Sequence, residues 1–136
     1  MDALVTPRRR WRLAVREQFA AAHALRNYHG RCEALHGHNF GVEVVVEGET
    51  LDPDTEMLLD FAVLRRLLRE ALDPLDHAHL NAILSFDERN PTSENIARHV
   101  WRTMADLFAR EGVAAVRLVA VTVAEKEGQS ATYMEG

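Results

Sequence analysis

The sequence has a single cysteine, no uninterrupted apolar run of membrane length and no surplus of positive charge. Each shortage narrows the field. Cys32 alone cannot close an intrachain disulfide, so a reducing cytoplasm is the expected setting and the thiol is either packing or chemistry. The longest aliphatic stretch, from Val113 to Ala124, is broken by Arg117 and is too short to cross a bilayer. A secretory leader opening at Arg8, Arg9 and Arg10 is cut off by Arg12, Arg16, Glu17 and Gln18. A formal charge of −5 argues against general nucleic-acid binding, which calls for a dense Lys/Arg surface. No internal repeat or low-complexity segment stands out. Hydrophobic residues at 47% and charged residues at 27% are ordinary for a globular chain, and 136 residues predict one domain over 1–136, with 1–10 as a flexible, solvated tail.

Hydrophobic spacing then sets out the elements. From Trp11 to His23 the residues Leu13, Val15, Phe19, Ala21 and His23 share one parity, as in a strand with one buried face, and Glu17 is the exception. A second strand is predicted from about His38 to Glu47, with Phe40, Val42, Val44 and Val46 on one face and Asn39, Gly41, Glu43 and Glu47 on the wetter one. Asp60 can cap a helix carrying Leu64, Leu67, Leu68 and Ala71, which Asp73 and Pro74 stop. Thr92 or Ser93 starts a second helix, and Gly112 ends it. Arg117 to Glu125 and Gln129 to Met134 read as a hairpin turning at Glu127 and Gly128. The order ββααββ predicts an α+β fold, a four-stranded antiparallel sheet with two helices on one face. The polar face then borders solvent or a water-lined cavity within an oligomer, and long sheet edges invite association.

Metal chemistry enters with the histidines. His36 and His38 are two residues apart, so in extended backbone both rings leave the same face, and His23 at the end of the preceding strand can meet them across the hairpin. Any one of them could be a satisfied core or surface histidine. Together, on the parity of Phe40 and Val42, they would bury nitrogens without partners unless they share an ion. Three neutral imidazoles leave an open position on a dipositive ion, which suits Lewis-acid catalysis by zinc; copper or nickel would also accept imidazole.

Further groups are candidates for proton transfer. Cys32 precedes His36 by four residues and can be a small buried hydrophobe, a fourth ligand closing the metal site, or a thiolate base favoured by a nearby cation. Asp76 and His77 form a carboxylate–imidazole pair of the kind that shuttles protons, provided a turn brings the adjacent side chains together. Glu125 shares parity with Val119, Val121 and Val123, so it ends a strand either pointing into a pocket or as an exposed turn carboxylate beside Lys126.

Several short segments, in this order and spacing, resemble the 6-pyruvoyl-tetrahydropterin synthase family. They are Phe19-Ala-Ala-Ala-His23, Cys32-Glu-Ala-Leu-His36-Gly-His38-Asn39, Asp60-Phe61, Leu75-Asp76-His77 with Leu80-Asn81, and Asn90-Pro-Thr-Ser-Glu94-Asn95. The three residues between Cys32 and His36 are most similar to the bacterial branch that forms 6-carboxytetrahydropterin for queuosine biosynthesis. The resemblance implies the T-fold, in which sheets of several subunits close into barrels, as a homohexamer built from two trimers with active sites between subunits. It also implies Zn²⁺ on His23, His36 and His38, with a pterin, 7,8-dihydroneopterin triphosphate, as substrate. By the same resemblance Cys32, Asp76 and His77 are the acid/base groups, Glu125 anchors the pterin ring, and Thr92 and Ser93 line its pocket. Sister enzymes that make the pyruvoyl product or cleave dihydroneopterin are the nearest alternatives, and a non-catalytic zinc-stabilised module closed by Cys32 is the alternative of another class. Arg65 departs from the Lys common in relatives after the Asp-Phe motif. Arg31 or Lys126 could assist triphosphate binding through charge.

Overall fold

The computed structural model of the chain describes residues 7–28, 30 and 34–136. Its frame is a long two-stranded ribbon. Strand β1 (Trp11–His23) runs antiparallel to β2 (His36–Gly48), paired from Trp11 opposite Gly48 to His23 opposite His36. Alternation sends Val15, Phe19 and Ala21 of β1, with Phe40, Val42, Val44 and Val46 of β2, into the core, where the Phe19 and Phe40 rings stack 4.9 Å apart. Glu17, the exception to the pattern, accepts from Arg65 and Arg69 of the first helix at 2.8 and 2.9 Å. Arg65 thus anchors that helix to β1.

Helix α1 (Phe61–Leu72) begins at Asp60, whose side chain accepts from the Ala62 N–H, and closes at Asp73. Helix α2 (Ser93–Glu111) is capped by Thr92, which accepts from the Asn95 N–H, and ends at Gly112, whose φ of 68° lies in the left-handed region glycine tolerates best. Their apolar stripes, including Leu64, Leu67 and Leu68 on α1 and Ile96, Val100 and Met104 on α2, are buried against one side of the sheet.

Beyond the helices, β4 (Arg117–Lys126) pairs antiparallel with β2, and β5 (Gln129–Tyr133) pairs with β4 across the expected Glu127, Gly128 turn. The α+β class with two helices therefore holds, but the sheet is not the expected four antiparallel strands. A two-residue strand, β3 (Ala78–His79), lies parallel to Ala21 and Ala22, giving five strands in the mixed order β3-β1-β2-β4-β5. Two residues carry no alternation to read. The pairing comes instead from His77, whose φ of 59° turns the chain and whose N–H donates to the Ala20 carbonyl at 2.5 Å. Arg8 and Arg10, in the segment expected as a solvated tail, pair with Glu49 and Glu47.

Candidate metal centre

The β1–β2 register places His23 opposite His36 and Ala21 opposite His38, so all three imidazoles leave the helix-facing side at one end of the ribbon. Their ring centroids are 4.5, 5.3 and 4.8 Å apart. With Glu125 they form a group whose ligand atoms all lie within 4.8 Å of one another.

The hydrogen bonds around the rings decide what these atoms can do. His23 Nδ1 lies 2.8 Å from the Pro91 carbonyl, and His36 Nδ1 lies 2.7 Å from the Ala34 carbonyl. A carbonyl only accepts, so each Nδ1 carries a proton, and a ring in its neutral form turns a bare Nε2 lone pair inward. Those two Nε2 atoms are 3.0 Å apart, and two lone pairs at that distance repel unless a cation or proton lies between them. His38 Nε2 is 2.7 Å from Glu125 Oε1, yet the approach is not aligned for hydrogen bonding and this buried nitrogen has no hydrogen-bond partner among the described residues. His23 is 0% exposed, and burial, ahead of the opposing bond to Pro91, pushes its pKa below the usual value and favours the neutral ring a metal needs. Three imidazole nitrogens with this surplus of lone pairs fit a divalent transition metal, and the Glu125 carboxylate stands beside them.

Glu125 reaches the group through an irregularity. The β4–β5 register slips between Ala124 and Lys126, so Glu125 sits at a bulge, and such slips re-aim a side chain. Its carboxylate faces the histidine group, with the side chain 19% exposed.

The Asp76–His77 pair forms with the required turn: His77 Nδ1 is 3.1 Å from Asp76 Oδ2. The Ala20 N–H, bonded to Asp76 at 3.0 Å, and then the neighbouring His77 hold the Asp76 carboxyl below the usual carboxylate range. His77 itself is 83% exposed at the side chain. It lines a shallow cleft with Ala20, Ala22, Gly37 and Asn39, residues whose parity is opposite to that of the histidine ligands, although His38 also borders this cleft. Among the described residues, no hydrogen bond links the pair to the metal-ligand group. Cys32 and Arg31 lie outside the described residues. Thr92 caps α2 and Ser93 opens it, directly after the Pro91 carbonyl that orients His23.

Sequence reasoning assigned no role to the groups that hold this end together. Asn81 bonds both the N–H and the carbonyl of Ala24, and Asn90 does the same for Arg26, clamping the chain that leaves β1. The orienting acceptors on Pro91 and Ala34 are backbone carbonyls, which every residue carries.

A sequence model described as 6-pyruvoyl tetrahydropterin synthase matches residues 12–136. The chain is 35% identical, over 71% of its own length and 76% of the relative, to the 6-carboxy-5,6,7,8-tetrahydropterin synthase of Synechocystis sp.. It is 42% identical to the dihydroneopterin monophosphate aldolase of Pyrococcus furiosus, over 63% of the chain and 68% of that protein. Among solved structures, the 6-pyruvoyl tetrahydropterin synthase of Caenorhabditis elegans superposes with a TM-score of 0.82 at 26% identity, covering 97% of this chain and all of that one.

Proposed function

The chain belongs to the 6-pyruvoyl tetrahydropterin synthase family of pterin-processing enzymes, and we propose that it is a carboxy-forming member. It would convert 7,8-dihydroneopterin triphosphate and water to 6-carboxytetrahydropterin, acetaldehyde and triphosphate, in the cytoplasm and in queuosine biosynthesis. The observation carrying the metal part of this reading is the convergence of the Nε2 atoms of His23 and His36 with the His38 Nε2 that is unpaired among the described residues. The three-residue gap between Cys32 and His36 and the Synechocystis relative support the choice of branch.

His23, His36 and His38 would hold a zinc ion, which would supply Lewis acidity toward oxygens of the substrate side chain. Cys32 takes and returns the proton of the neighbouring carbon, a role that rests on its place four residues before His36 and on the family pattern. His77, oriented by Asp76, is the partner acid/base. Because this pair is exposed beside opposite-parity residues, it serves the metal centre of an adjacent subunit in a homohexamer of two trimers. Glu125 accepts paired hydrogen bonds from the pterin amino group and ring N–H. Capping by Thr92 uses a lone pair, so its hydroxyl proton remains available beside Ser93 at the pocket edge.

The test is metal analysis of the purified protein together with mass spectrometry of products from dihydroneopterin triphosphate. Acetaldehyde with a carboxylated pterin is the expected pair, and their absence alongside other cleavage products overturns the branch assignment. The Pyrococcus relative gives the dihydroneopterin-cleaving reading its specific support, and the same assay distinguishes it. Cys32→Ala should keep metal and lose turnover; joint loss of metal and stability would instead mean a closed, structural zinc site.

A further inference from the structure

A second polar cleft, of about 360 Å³, lies on the outer side of α2 against the 3-10 turn Leu84–Phe86. Ser85, Arg89, Arg98, His99, Arg102 and Asp106 line it, and the Phe86 ring tilts against His99 at 5.4 Å. The role proposed above for the metal centre uses none of them. Burial pushes the His99 pKa down, so the ring is a neutral wall, and the charge of the cleft is three guanidiniums against the single Asp106 carboxylate.

Most of the other described arginines are matched by carboxylates. On α1, Arg65 and Arg69 stand one turn apart and share Glu17 at 2.8 and 2.9 Å. On the other side of the sheet, Arg12 and Arg117 share Glu47. Arg98 and Arg102 have the spacing of the α1 pair, yet among the described residues neither they nor Arg89 makes an ion pair. Like charges at this spacing repel, and a shared anion offsets that repulsion. Arg98 is also held in place: it donates to Asn95 Oδ1, while Asn95 is itself fixed by the Asn90 carbonyl and Thr92. A planar guanidinium restrained in this way loses little freedom on binding and keeps further N–H donors to offer.

We propose that this cleft binds a polyphosphate anion, gripped by Arg98 and Arg102 with Arg89 closing over it. A multiply charged ligand matches three arginines better than a carboxylate or a single halide does, and its separate phosphates can take a guanidinium each. Such a group can come from a free inorganic or nucleotide polyphosphate, or from the phosphate tail of a substrate.

Calorimetric titration of the full chain with inorganic triphosphate at low ionic strength tests this. Saturable binding that weakens as salt is added is expected, and the Arg98→Ala, Arg102→Ala double variant should raise Kd at least about tenfold. Arg98→Gln with Arg102→Gln serves as a second variant that keeps side-chain length, and circular dichroism and metal content confirm folding in both. If the variant loses triphosphate binding with an unchanged KM for dihydroneopterin triphosphate, the ligand is a free polyphosphate; if KM rises for the phosphorylated substrate alone, it is the substrate tail. Absence of saturable binding, or a wild-type Kd in both variants, overturns the proposal. The titration requires no turnover, so its outcome is independent of which pterin reaction the metal centre performs.

Discussion

The two ends of the β1–β2 ribbon carry opposite solutions to the same problem. At one end, Glu47 is only 5% exposed, and its carboxylate accepts from Arg12 at 2.6 Å and Arg117 at 2.7 Å with Arg10 close by. The buried carboxylate there meets its complement within the chain. At the other end His23, His36 and His38 are placed by the same ladder, but backbone carbonyls accept from Nδ1 of His23 and of His36 and leave their Nε2 acceptors facing each other. Burial of polar groups therefore does not separate structure from function here. What separates them is whether donors and acceptors balance without help from outside.

That contrast can be broken or sharpened by following metal affinity from the largest change to none. His36→Ala removes a ligand and leaves the others splayed, so metal content should fall to near zero and turnover by at least about a hundredfold, read by elemental analysis and product formation. Stripping metal from the wild type with a chelator comes next. A metal at about 100 times its Kd adds about 2.7 kcal/mol to the folded state, so the thermal midpoint should fall on chelation and return when zinc is restored. Asn90→Ala frees the loop whose Pro91 carbonyl orients His23, and should weaken metal binding about tenfold while the fold survives, measured by competition with a chromophoric chelator. Glu47→Gln should leave metal affinity unchanged. Loss of metal in that variant would mean the two ends are coupled.

Glu47 has its own signature in acid. The Arg12 hydrogen bond, and then Arg117, hold its pKa below the ordinary carboxylate value. The stabilisation is accordingly present above the unfolded pKa of about 4.3 and is lost as pH falls through the lower folded value. Glu47→Gln should therefore be less stable than wild type near neutrality, and the gap in denaturation midpoints should close as the solution is acidified. A constant gap across that range would mean the charge itself contributes little.

The parts of this molecule legible in the sequence are those decided by neighbours in the chain. The Phe40 to Val46 alternation, the Asp60 and Thr92 caps and the Gly112 stop each depend on a few adjacent residues, and each matches the structure. The histidine group was legible because parity and a single hairpin suffice to bring three rings together. Strand β3 was not, since its two residues pair in parallel through a left-handed His77 and a bond to Ala20 that no periodicity encodes. Nor was the tautomer control at Pro91 and Ala34, where the acceptors are main-chain oxygens. Glu17, which spoiled the β1 pattern, became intelligible only once α1 brought Arg65 and Arg69 across it.

The slipped register at Glu125 has an evolutionary reach of its own. The imidazoles ride on the central ribbon, whereas the carboxylate rides on the outer hairpin that turns at Gly128, so the two halves of the centre stand on separate scaffolding. Lengthening or shortening that hairpin would shift the acid and spare the bases. A lineage could thereby acquire a new substrate without first surrendering its metal.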